Sequence, residues 1–462
     1  MSDMEEITAA EDSTNEAKTP KMKLVTPRRL KGFPDFFAED MKLREFVIGI
    51  FTDTFEKYGY EPLETPTLEY SELVLGQSGE EAEKQFYRFE DPGGRDVMLR
   101  YEVMIAMCRA VGENYGKIPM PYKRYQIQRC FRAENTQKGR YREFTQCDAD
   151  TIGSSSMLCD AEFIQMGLEV VKKLGFKVFV VRISNRKFLE GLAETFGVSK
   201  EQFYGFCMSL DKLQKIGRDG VLAEMTDRRG IDADVVKNAI DAVAPENAPK
   251  APFRKTIERM KAVVKSSQIG SEGLDELSQI ADYFETVGID ENLYTFDTSL
   301  ARGLASYTGP VWEFEIIDGG VGSIAGCGRY DRAIAKYIGR EIPATGGSFG
   351  IERICDILKD RKMIDLGKTT VSVMVTIFDD TLWSESLLVA DKLRRDGISV
   401  MLYPQADGLK KQFKFASEKG IPWVVVIGPD EMKSKKVQLK NMESGKQEES
   451  DVSSVAAKIK GK

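Results

Sequence analysis

The sequence of 462 residues contains no histidine. A catalytic pair of serine or cysteine with histidine is therefore impossible within the chain, and a zinc site would have to use cysteine with carboxylates alone. The seven cysteines are widely scattered and none is spaced as a Cys-x-x-Cys pair, so we expect reduced thiols that mostly lie in the core. We expect no zinc, and the metal that suits the remaining ligands is Mg²⁺ held by oxygen atoms.

Long hydrophobic runs are also lacking. No apolar stretch approaches the roughly 20 residues that a membrane helix requires, and residues 1–24 are polar and acidic. We therefore predict a cytoplasmic protein without a membrane segment and with a disordered leader at 1–24. The formal net charge of -7 argues against a surface coated for bulk binding of nucleic acid, although a local basic face is compatible with a polyanion.

The length exceeds what one hydrophobic core usually serves, so two or three domains are expected. A charged, loop-broken stretch at about 188–290 predicts a helical subdomain inserted in a larger unit at 25–365. After Gly367 strands alternate with short helices, which predicts a small α/β domain at 368–462, with a turn at 429–431 before its last strand.

The richest chemical signal is a basic hairpin. Period-two alternation predicts two strands between residues 124 and 153. Cations cluster at and beside the connecting loop: Arg132, Lys138, Arg140 and Arg142. Each arginine can hold two oxygens at once, so several around one loop suit a triphosphate, whereas the alternative is a solvated basic hairpin.

The returning strand of this hairpin favours a ligand. Alternation places one set of side chains on one face (Phe144, Gln146, Asp148 and Asp150) and a smaller set on the other (Thr145, Cys147 and Ala149). An aromatic ring and three hydrogen-bonding groups opposite small residues indicate a pocket above the sheet.

Two later segments add cations. Arg353 follows a glycine-rich stretch and is predicted in the first turn of a helix, where the positive helix end favours a phosphate. The loop ARGLASYTG carries Arg302 and Tyr307, and GCGRYDRAI follows it. The latter lacks the third glycine of a dinucleotide fingerprint, so we reject that interpretation.

Together these segments resemble the class II aminoacyl-tRNA synthetases, and among them the histidyl-tRNA synthetase family, from about Val25 onward. GFPDFF with the helix after it resembles the first class II motif, FRAENTQKGRYREF the second and GGSFGIERI the third, while ARGLASYTG and GCGRYDRAI resemble two signatures of the histidine family. The resemblance implies an α+β fold, in which a six-stranded antiparallel catalytic sheet is flanked by helices and followed by a C-terminal α/β anticodon-binding domain. It also implies a homodimer whose interface holds the first motif.

The same resemblance implies an activity. The chain would ligate L-histidine to tRNA(His) through a histidyl-adenylate, using ATP with Mg²⁺. The second hypothesis is a non-catalytic relative that senses tRNA or regulates another enzyme, as the regulatory subunit of ATP phosphoribosyltransferase does. That relative lacks the anticodon-binding domain, and the predicted domain at 368–462 therefore favours the synthetase.

Carried over position by position, the resemblance implies site roles. Arg132 and Arg302 would be the catalytic arginines at the α-phosphate. ATP would be bound by Arg132, Glu134, Arg140, Phe144 and Arg353. Histidine would be bound by Glu102, Met104, Arg132, Gln146, Asp150, Arg302, Ser306 and Tyr307, with Asp150 and Tyr307 at the imidazole. The tRNA would contact Gln137, Lys410, Lys411 and Lys414.

Three positions depart from the family pattern. Met104 stands where threonine is typical, Ala305 where aspartate or serine is frequent, and Ser306 where tyrosine is frequent. These residues touch or border the implied histidine pocket. The substitutions either weaken histidine binding or accompany a repacked pocket.

Overall fold

The computed structural model describes residues 25–75, 84–137, 139–245, 251–303, 306–317, 320 and 322–461. The predicted leader at 1–24, Lys138 and Ala305 lie outside these residues. Within the described ranges, no helix is both long and apolar enough to cross a membrane.

The described residues form sixteen strands and sixteen α-helices. The strands are β1 (Glu61–Pro62), β2 (Leu68–Tyr70), β3 (Arg88–Glu90), β4 (Asp96–Leu99), β5 (Tyr122–Phe131), β6 (Glu143–Ile152), β7 (Phe179–Asn185), β8 (Tyr294–Phe296), β9 (Pro310–Ile316), β10 (Ser323–Arg329), β11 (Ala344–Gly350), β12 (Val373–Val375), β13 (Val400–Leu402), β14 (Trp423–Val426), β15 (Val437–Asn441) and β16 (Gln447–Ser450). The α-helices are α1 (Ala38–Lys57), α2 (Ser71–Val74), α3 (Val103–Asn114), α4 (Met157–Lys173), α5 (Arg186–Phe196), α6 (Lys200–Leu210), α7 (Leu213–Ala223), α8 (Ala233–Val243), α9 (Phe253–Val263), α10 (Gln268–Val287), α11 (Ala335–Ile338), α12 (Ile351–Asp360), α13 (Trp383–Arg395), α14 (Leu409–Lys419), α15 (Pro429–Ser434) and α16 (Val452–Lys460).

An eight-stranded sheet in the order β1-β5-β6-β11-β10-β9-β7-β8 forms the centre of the larger part of the chain. Its six inner strands are antiparallel, whereas β1 and β8 join the two edges as parallel strands. The predicted α+β class is confirmed, and the predicted six-stranded sheet is extended by one parallel strand at each edge. A separate three-stranded sheet, in the order β2-β4-β3, lies outside it.

One face of the large sheet is buried under helices. The aromatic core centres on Phe349 of β11, whose ring lies 4.9 Å from that of Phe51 on α1 and 5.2 Å from that of Phe314 on β9. Arg44 of α1 bridges β6 and α12, because its Nη1 lies 2.9 Å from Oε1 of Glu352 and its Nη2 donates to Thr145 at 2.7 Å. With this face closed by packing, the opposite face of the same strands is left for a ligand.

The stretch between β7 and β8 is helical and consists of α5 to α10 with a π-helical turn at Glu224–Arg228. Its helices approach closely at two glycines: a Cβ on Gly191 of α5 would lie 2.3 Å from Cα of Gly270 on α10. Side chains larger than hydrogen would therefore separate these two helices. We call α5 to α10 the helical segment.

The C-terminal part forms a five-stranded sheet in the order β13-β12-β14-β15-β16. Helices α13 and α16 contribute buried residues such as Leu393 and Val455 to the core on one face, and α14 contributes Ala416 on the other. The predicted turn at 429–431 is wrong, because these residues begin helix α15. Proline is favoured at the first position of a helix, and Glu431 accepts a hydrogen bond from the N-cap amide of Gly428 at 3.0 Å.

Candidate active site

An open cleft of about 1080 Å³, a volume that includes its solvent-filled mouth, lies on the exposed face of β6, β10 and β11. Residues from five separated stretches of sequence meet in it. Eleven of the residues that the resemblance assigns to the site line this cleft: Glu102, Met104, Arg132, Glu134, Arg140, Phe144, Gln146, Asp150, Arg302, Tyr307 and Arg353. The cleft also contains Asp148, which the alternation of β6 places on the pocket face, and Tyr330 and Ser348, which the sequence did not indicate.

The deep end of the cleft is built around a buried ion pair. Arg124 of β5 is fully buried and faces Asp150 across the β5–β6 register, with its Nη2 on Oδ2 of Asp150. The Tyr330 hydroxyl donates to the other carboxylate oxygen of Asp150. Burial raises the pKa of Asp150, and Arg124 and Tyr330 oppose that rise. Asp150, predicted at the imidazole, is thus held in place by two partners that sequence reasoning missed.

Asp148 lies beside this pair and is 4% exposed. Its Oδ1 has no hydrogen-bond partner among the described residues. Burial raises the pKa of Asp148 to about 7, with Arg124 opposing the rise and Asp150 adding to it. A buried polar atom without a partner is costly, and a ligand that donates a hydrogen bond at the deep end would remove this cost.

This raised pKa predicts a pH-dependent stability. In the unfolded chain the Asp148 carboxyl ionises near 3.8, whereas the folded protein keeps its proton to about pH 7. Between these values the folded state binds the additional proton, so the free energy of unfolding contributed by this group falls as pH rises. The Asp148→Asn variant has no carboxyl to ionise at this position. Its free energy of unfolding relative to that of the wild type should therefore rise by up to about 1.4 kcal/mol per pH unit in this window. Urea unfolding at pH 5, 6 and 7 measures the difference, and parallel pH profiles would contradict the assignment.

The middle of the cleft is formed by Glu102, Gln146 and Arg132. Glu102 is the N-cap residue of α3, and its Oε2 lies 4.0 Å from Nη2 of Arg132. Burial raises the pKa of Glu102, and Arg132 opposes this rise. Gln146 is oriented by the amide of Val103, which donates to its Oε1 at 2.9 Å. The Arg132 guanidinium is also 5.0 Å from the centre of the Phe144 ring.

The outer part of the cleft is cationic. Arg353 lies in the first turn of α12, as the sequence predicts, and its Nη1 donates to the carbonyl of Ser323 at 2.6 Å. Burial lowers the pKa of Arg353, and the neighbouring cations Arg140 and Arg302 lower it further. Arg140 in turn has its Nη1 3.4 Å from Oε2 of Glu134. Cations held this close together are stabilised by a bound polyanion.

The two signatures of the histidine family meet at Tyr307. A Cβ on Gly328, in GCGRYDRAI, would lie 2.8 Å from Cδ1 of Tyr307, in ARGLASYTG. A Cβ on Gly303 would lie only 2.2 Å from the same ring, and its φ of +61° also favours glycine. These glycines make room for a ring that lines the cleft.

The remaining predicted site residues lie elsewhere. Ser306 is described but does not line the cleft. Gln137 pairs with the backbone of Arg140 at the tip of the β5–β6 hairpin. Lys410, Lys411 and Lys414 are exposed on α14 of the C-terminal sheet domain, where Lys411 contacts Asp407 at 2.8 Å. No described set of three cysteine, aspartate or glutamate side chains is arranged to hold a metal ion.

Comparison with known proteins agrees with this geometry. A family model described as histidyl-tRNA synthetase matches residues 32–354, and a model described as an anticodon binding domain matches residues 371–462. The chain is 37% identical to a histidine–tRNA ligase of Helicobacter acinonychis and 35% identical to that of Wolinella succinogenes, in each case over 92% of this chain and 96% of the relative.

Solved structures give the same result. A crystal structure of histidyl-tRNA synthetase from Nostoc superposes with a TM-score of 0.83 at 28% identity and covers 96% of this chain and 100% of the other. An ATP phosphoribosyltransferase regulatory subunit/histidyl-tRNA synthetase from Bacillus halodurans shares the fold, with a TM-score of 0.71 at 21% identity, and covers 86% of this chain and 97% of the other. The chain therefore belongs to the histidyl-tRNA synthetase family.

Proposed function

We propose that the cleft binds L-histidine at its deep end and ATP at its outer end, and that the two react there. As a member of its family the chain is a histidine–tRNA ligase, which couples ATP cleavage to the charging of tRNA(His). The observation that supports this location is the convergence of Arg132, Arg140, Arg302 and Arg353 above a buried acidic group.

The deep end suits an imidazole because its acceptors are buried. Asp148 and Asp150 offer carboxylate oxygens to ring N–H groups, and Tyr307 closes the same space. An amino acid without such donors would leave Oδ1 of Asp148 unpaired, which disfavours it. In this proposal Glu102 and Gln146, which lie farther out, accept hydrogen bonds from the α-ammonium group.

Two arginines are proposed to bind the α-phosphate of ATP, and two others the γ-phosphate. In the proposed first step a carboxylate oxygen of histidine attacks the α-phosphorus and pyrophosphate leaves. Arg132 and Arg302 stabilise charge on the α-phosphate, and Arg140 and Arg353 hold the γ-phosphate, while Glu134 and Phe144 hold adenine. Positioning and charge stabilisation carry such a transfer, so the enzyme needs no imidazole base.

In the second step the terminal ribose hydroxyl of the tRNA attacks the adenylate carbonyl, and AMP leaves. Gln137 at the hairpin tip and the exposed Lys410, Lys411 and Lys414 on α14 are proposed tRNA contacts. Their support is location: the hairpin tip borders the cleft, and α14 belongs to the part matched by the anticodon-binding model.

Mg²⁺ is proposed to arrive with the phosphates of ATP. The described carboxylates offer no three-ligand cage, so ATP oxygens would provide most of the ligands. When bound, the ion supplies countercharge to the phosphates.

We also propose a cytoplasmic homodimer. Large apolar side chains stay exposed on α1 and the neighbouring three-stranded sheet, among them Phe37, Phe46, Leu68 and Phe89. Phe37 and Phe46 belong to the first class II motif and the helix after it, and a second copy of the chain would cover this exposed apolar surface. The non-catalytic alternative lacks support, since the anticodon-binding match and the whole set of cleft arginines are present.

The test of the function is histidine-dependent ATP–pyrophosphate exchange by the purified chain, run with each of the other amino acids in parallel. We expect exchange with histidine alone, because only histidine satisfies the acceptors at the deep end. Exchange with a different amino acid would reassign the substrate, and absence of exchange with all of them would overturn the enzyme assignment.

A further inference from the structure

Arg302 is connected to the helical segment by a chain of alternating charges. Its Nε lies 2.9 Å from Oε2 of Glu313, a residue of β9 whose side chain is 3% exposed. Arg182 of β7 faces Glu313 across the strand pair, and its Nη1 donates to Oε1 of Glu313 at 2.9 Å. Glu313 is therefore held between two guanidinium groups, and one of these lines the cleft.

The chain of charges continues to Asp297. Nε of Arg182 donates to Oδ2 of Asp297 at 2.6 Å. The same oxygen accepts a hydrogen bond from Nε2 of Gln214, on α7 of the helical segment, at 3.0 Å. The signs therefore alternate from Arg302 through Glu313 and Arg182 to Asp297, so each buried charge has a compensating neighbour.

The backbone that leads to Arg302 is fastened to the helical segment as well. Thr298 donates its hydroxyl to the carbonyl of Val243, at the end of α8, at 2.9 Å. The amide of Ala301 donates to Oδ1 of Asp211, just after α6, at 3.2 Å. Ala301 immediately precedes Arg302. Contacts with the helical segment thus fix both the loop and, through Glu313, the side chain it carries.

The exposed fractions of the Arg302 and Glu313 side chains indicate which of the two residues holds the other in position. The Arg302 side chain is 45% exposed, whereas Glu313 is almost completely buried. A long, exposed side chain samples many rotamers, and holding one of them requires a fixed partner. Glu313 is such a partner, because Arg182 and the strand pairing determine its position. Neither Glu313 nor Arg182 lines the cleft.

We propose that Glu313 and Arg182 are positioning residues for adenylate formation, which hold the Arg302 guanidinium towards the α-phosphate and make its position depend on the helical segment. The inference rests on the proposed role of Arg302 in the cleft. It goes beyond that role because it gives the helical segment a part in the first chemical step, before any tRNA is bound.

The decisive variant is Glu313→Gln, which keeps the shape of the side chain and removes its charge. Misplacing Arg302 should lower kcat of histidine-dependent pyrophosphate exchange by about 10–100-fold. The KM for ATP should stay within about threefold, because the lost interaction develops mainly in the transition state. Arg182→Met should act in the same direction, and Arg182→Lys, which restores a cation beside Glu313, should recover part of the loss.

A matched control is Glu169→Gln. Glu169 of α4 is also held by two cations, with Nζ of Lys57 at 2.9 Å and Nζ of Lys173 at 3.0 Å from its Oε1, but it lies outside both the cleft and the helical segment. Its exchange kinetics should equal those of the wild type. Thermal unfolding of every variant identifies any that fails to fold. If Glu313→Gln does not fold, Arg182→Met and Asp297→Asn replace it in the comparison.

A double variant separates positioning from independent effects. If Glu313 acts through Arg302, then Glu313→Gln should add no further loss in an Arg302→Ala background, measured as single-turnover adenylate formation. A full additional loss there would overturn the proposal. Wild-type kcat in Glu313→Gln and Arg182→Met, with Arg302→Ala inactive, would also overturn it and leave the proposed function intact. Wild-type exchange by Arg302→Ala would instead contradict the role of Arg302 itself.

Discussion

Replacing Arg302 by alanine is expected to lower kcat of histidine-dependent pyrophosphate exchange by about 100–1000-fold. Negative charge on the α-phosphate grows as pyrophosphate leaves, and the guanidinium of Arg302 is one of two proposed to meet it. Affinity for tRNA should change little, because the proposed tRNA contacts lie on the hairpin tip and on α14. Exchange kinetics and filter binding of tRNA to the same preparation measure the two quantities.

Arg332→Ala is the matched control for this variant. Arg332 is an arginine of the neighbouring signature, its side chain is 76% exposed, and it pairs with Glu341 at 3.0 Å outside the cleft. Its loss should leave exchange unchanged. If Arg302→Ala weakened tRNA binding as strongly as exchange, Arg302 would have a general structural role and no particular one at the α-phosphate.

Replacing Arg124 by methionine is expected to lower the free energy of unfolding by about 3–5 kcal/mol, since it leaves the buried Asp150 carboxylate without its cation. Asp148 beside it also loses a nearby positive charge. The KM for histidine should rise, because both carboxyls would then favour the protonated form. Trp312, buried in the same sheet, reports its unfolding by fluorescence in a Trp383→Phe, Trp423→Phe background.

Two further variants serve as references for the change in unfolding free energy. Arg29→Met removes a pair with Asp35 at 3.9 Å in which both side chains are more than half exposed, and should cost at most about 1 kcal/mol. Arg124→Met combined with Asp150→Leu removes both buried charges and should recover much of the stability, though not the activity. Equal costs for Arg124→Met and Arg29→Met would show that the buried pair does not stabilise the sheet.

The sequence predicts the site best where local geometry determines it. Because side chains of a strand alternate, the face of β6 that carries Phe144, Gln146, Asp148 and Asp150 follows from spacing alone, and all four line the cleft. Arg353 is predicted at a helix start for a similar reason: glycines end the strand before it. The alternation of side chains along a strand and the position of glycines are local properties of the sequence. They can be recognised without knowing which segments pair in the fold.

Residues that act through long-range pairing were missed. Arg124 meets Asp150 only through the β5–β6 register, and Tyr330 reaches it from another strand end, so neither stands out in its own segment. Alternation on β5 could have placed Arg124 on the polar face, but not its partner. The parallel edge strands β1 and β8 are two and three residues long, too short for a periodic signal.

The Asp148 carboxyl has a spectroscopic consequence in a chain without histidine. Its pKa of about 7 is close to that of a free imidazole, near 6.5, so protein and bound amino acid compete for a proton in the same range. With no imidazole in the polypeptide, every imidazole nitrogen resonance of the complex belongs to the bound histidine, even if the protein is ¹⁵N-labelled as well. The nitrogen shifts of the ligand would therefore reveal, without background, its tautomer and which of the two groups holds the proton.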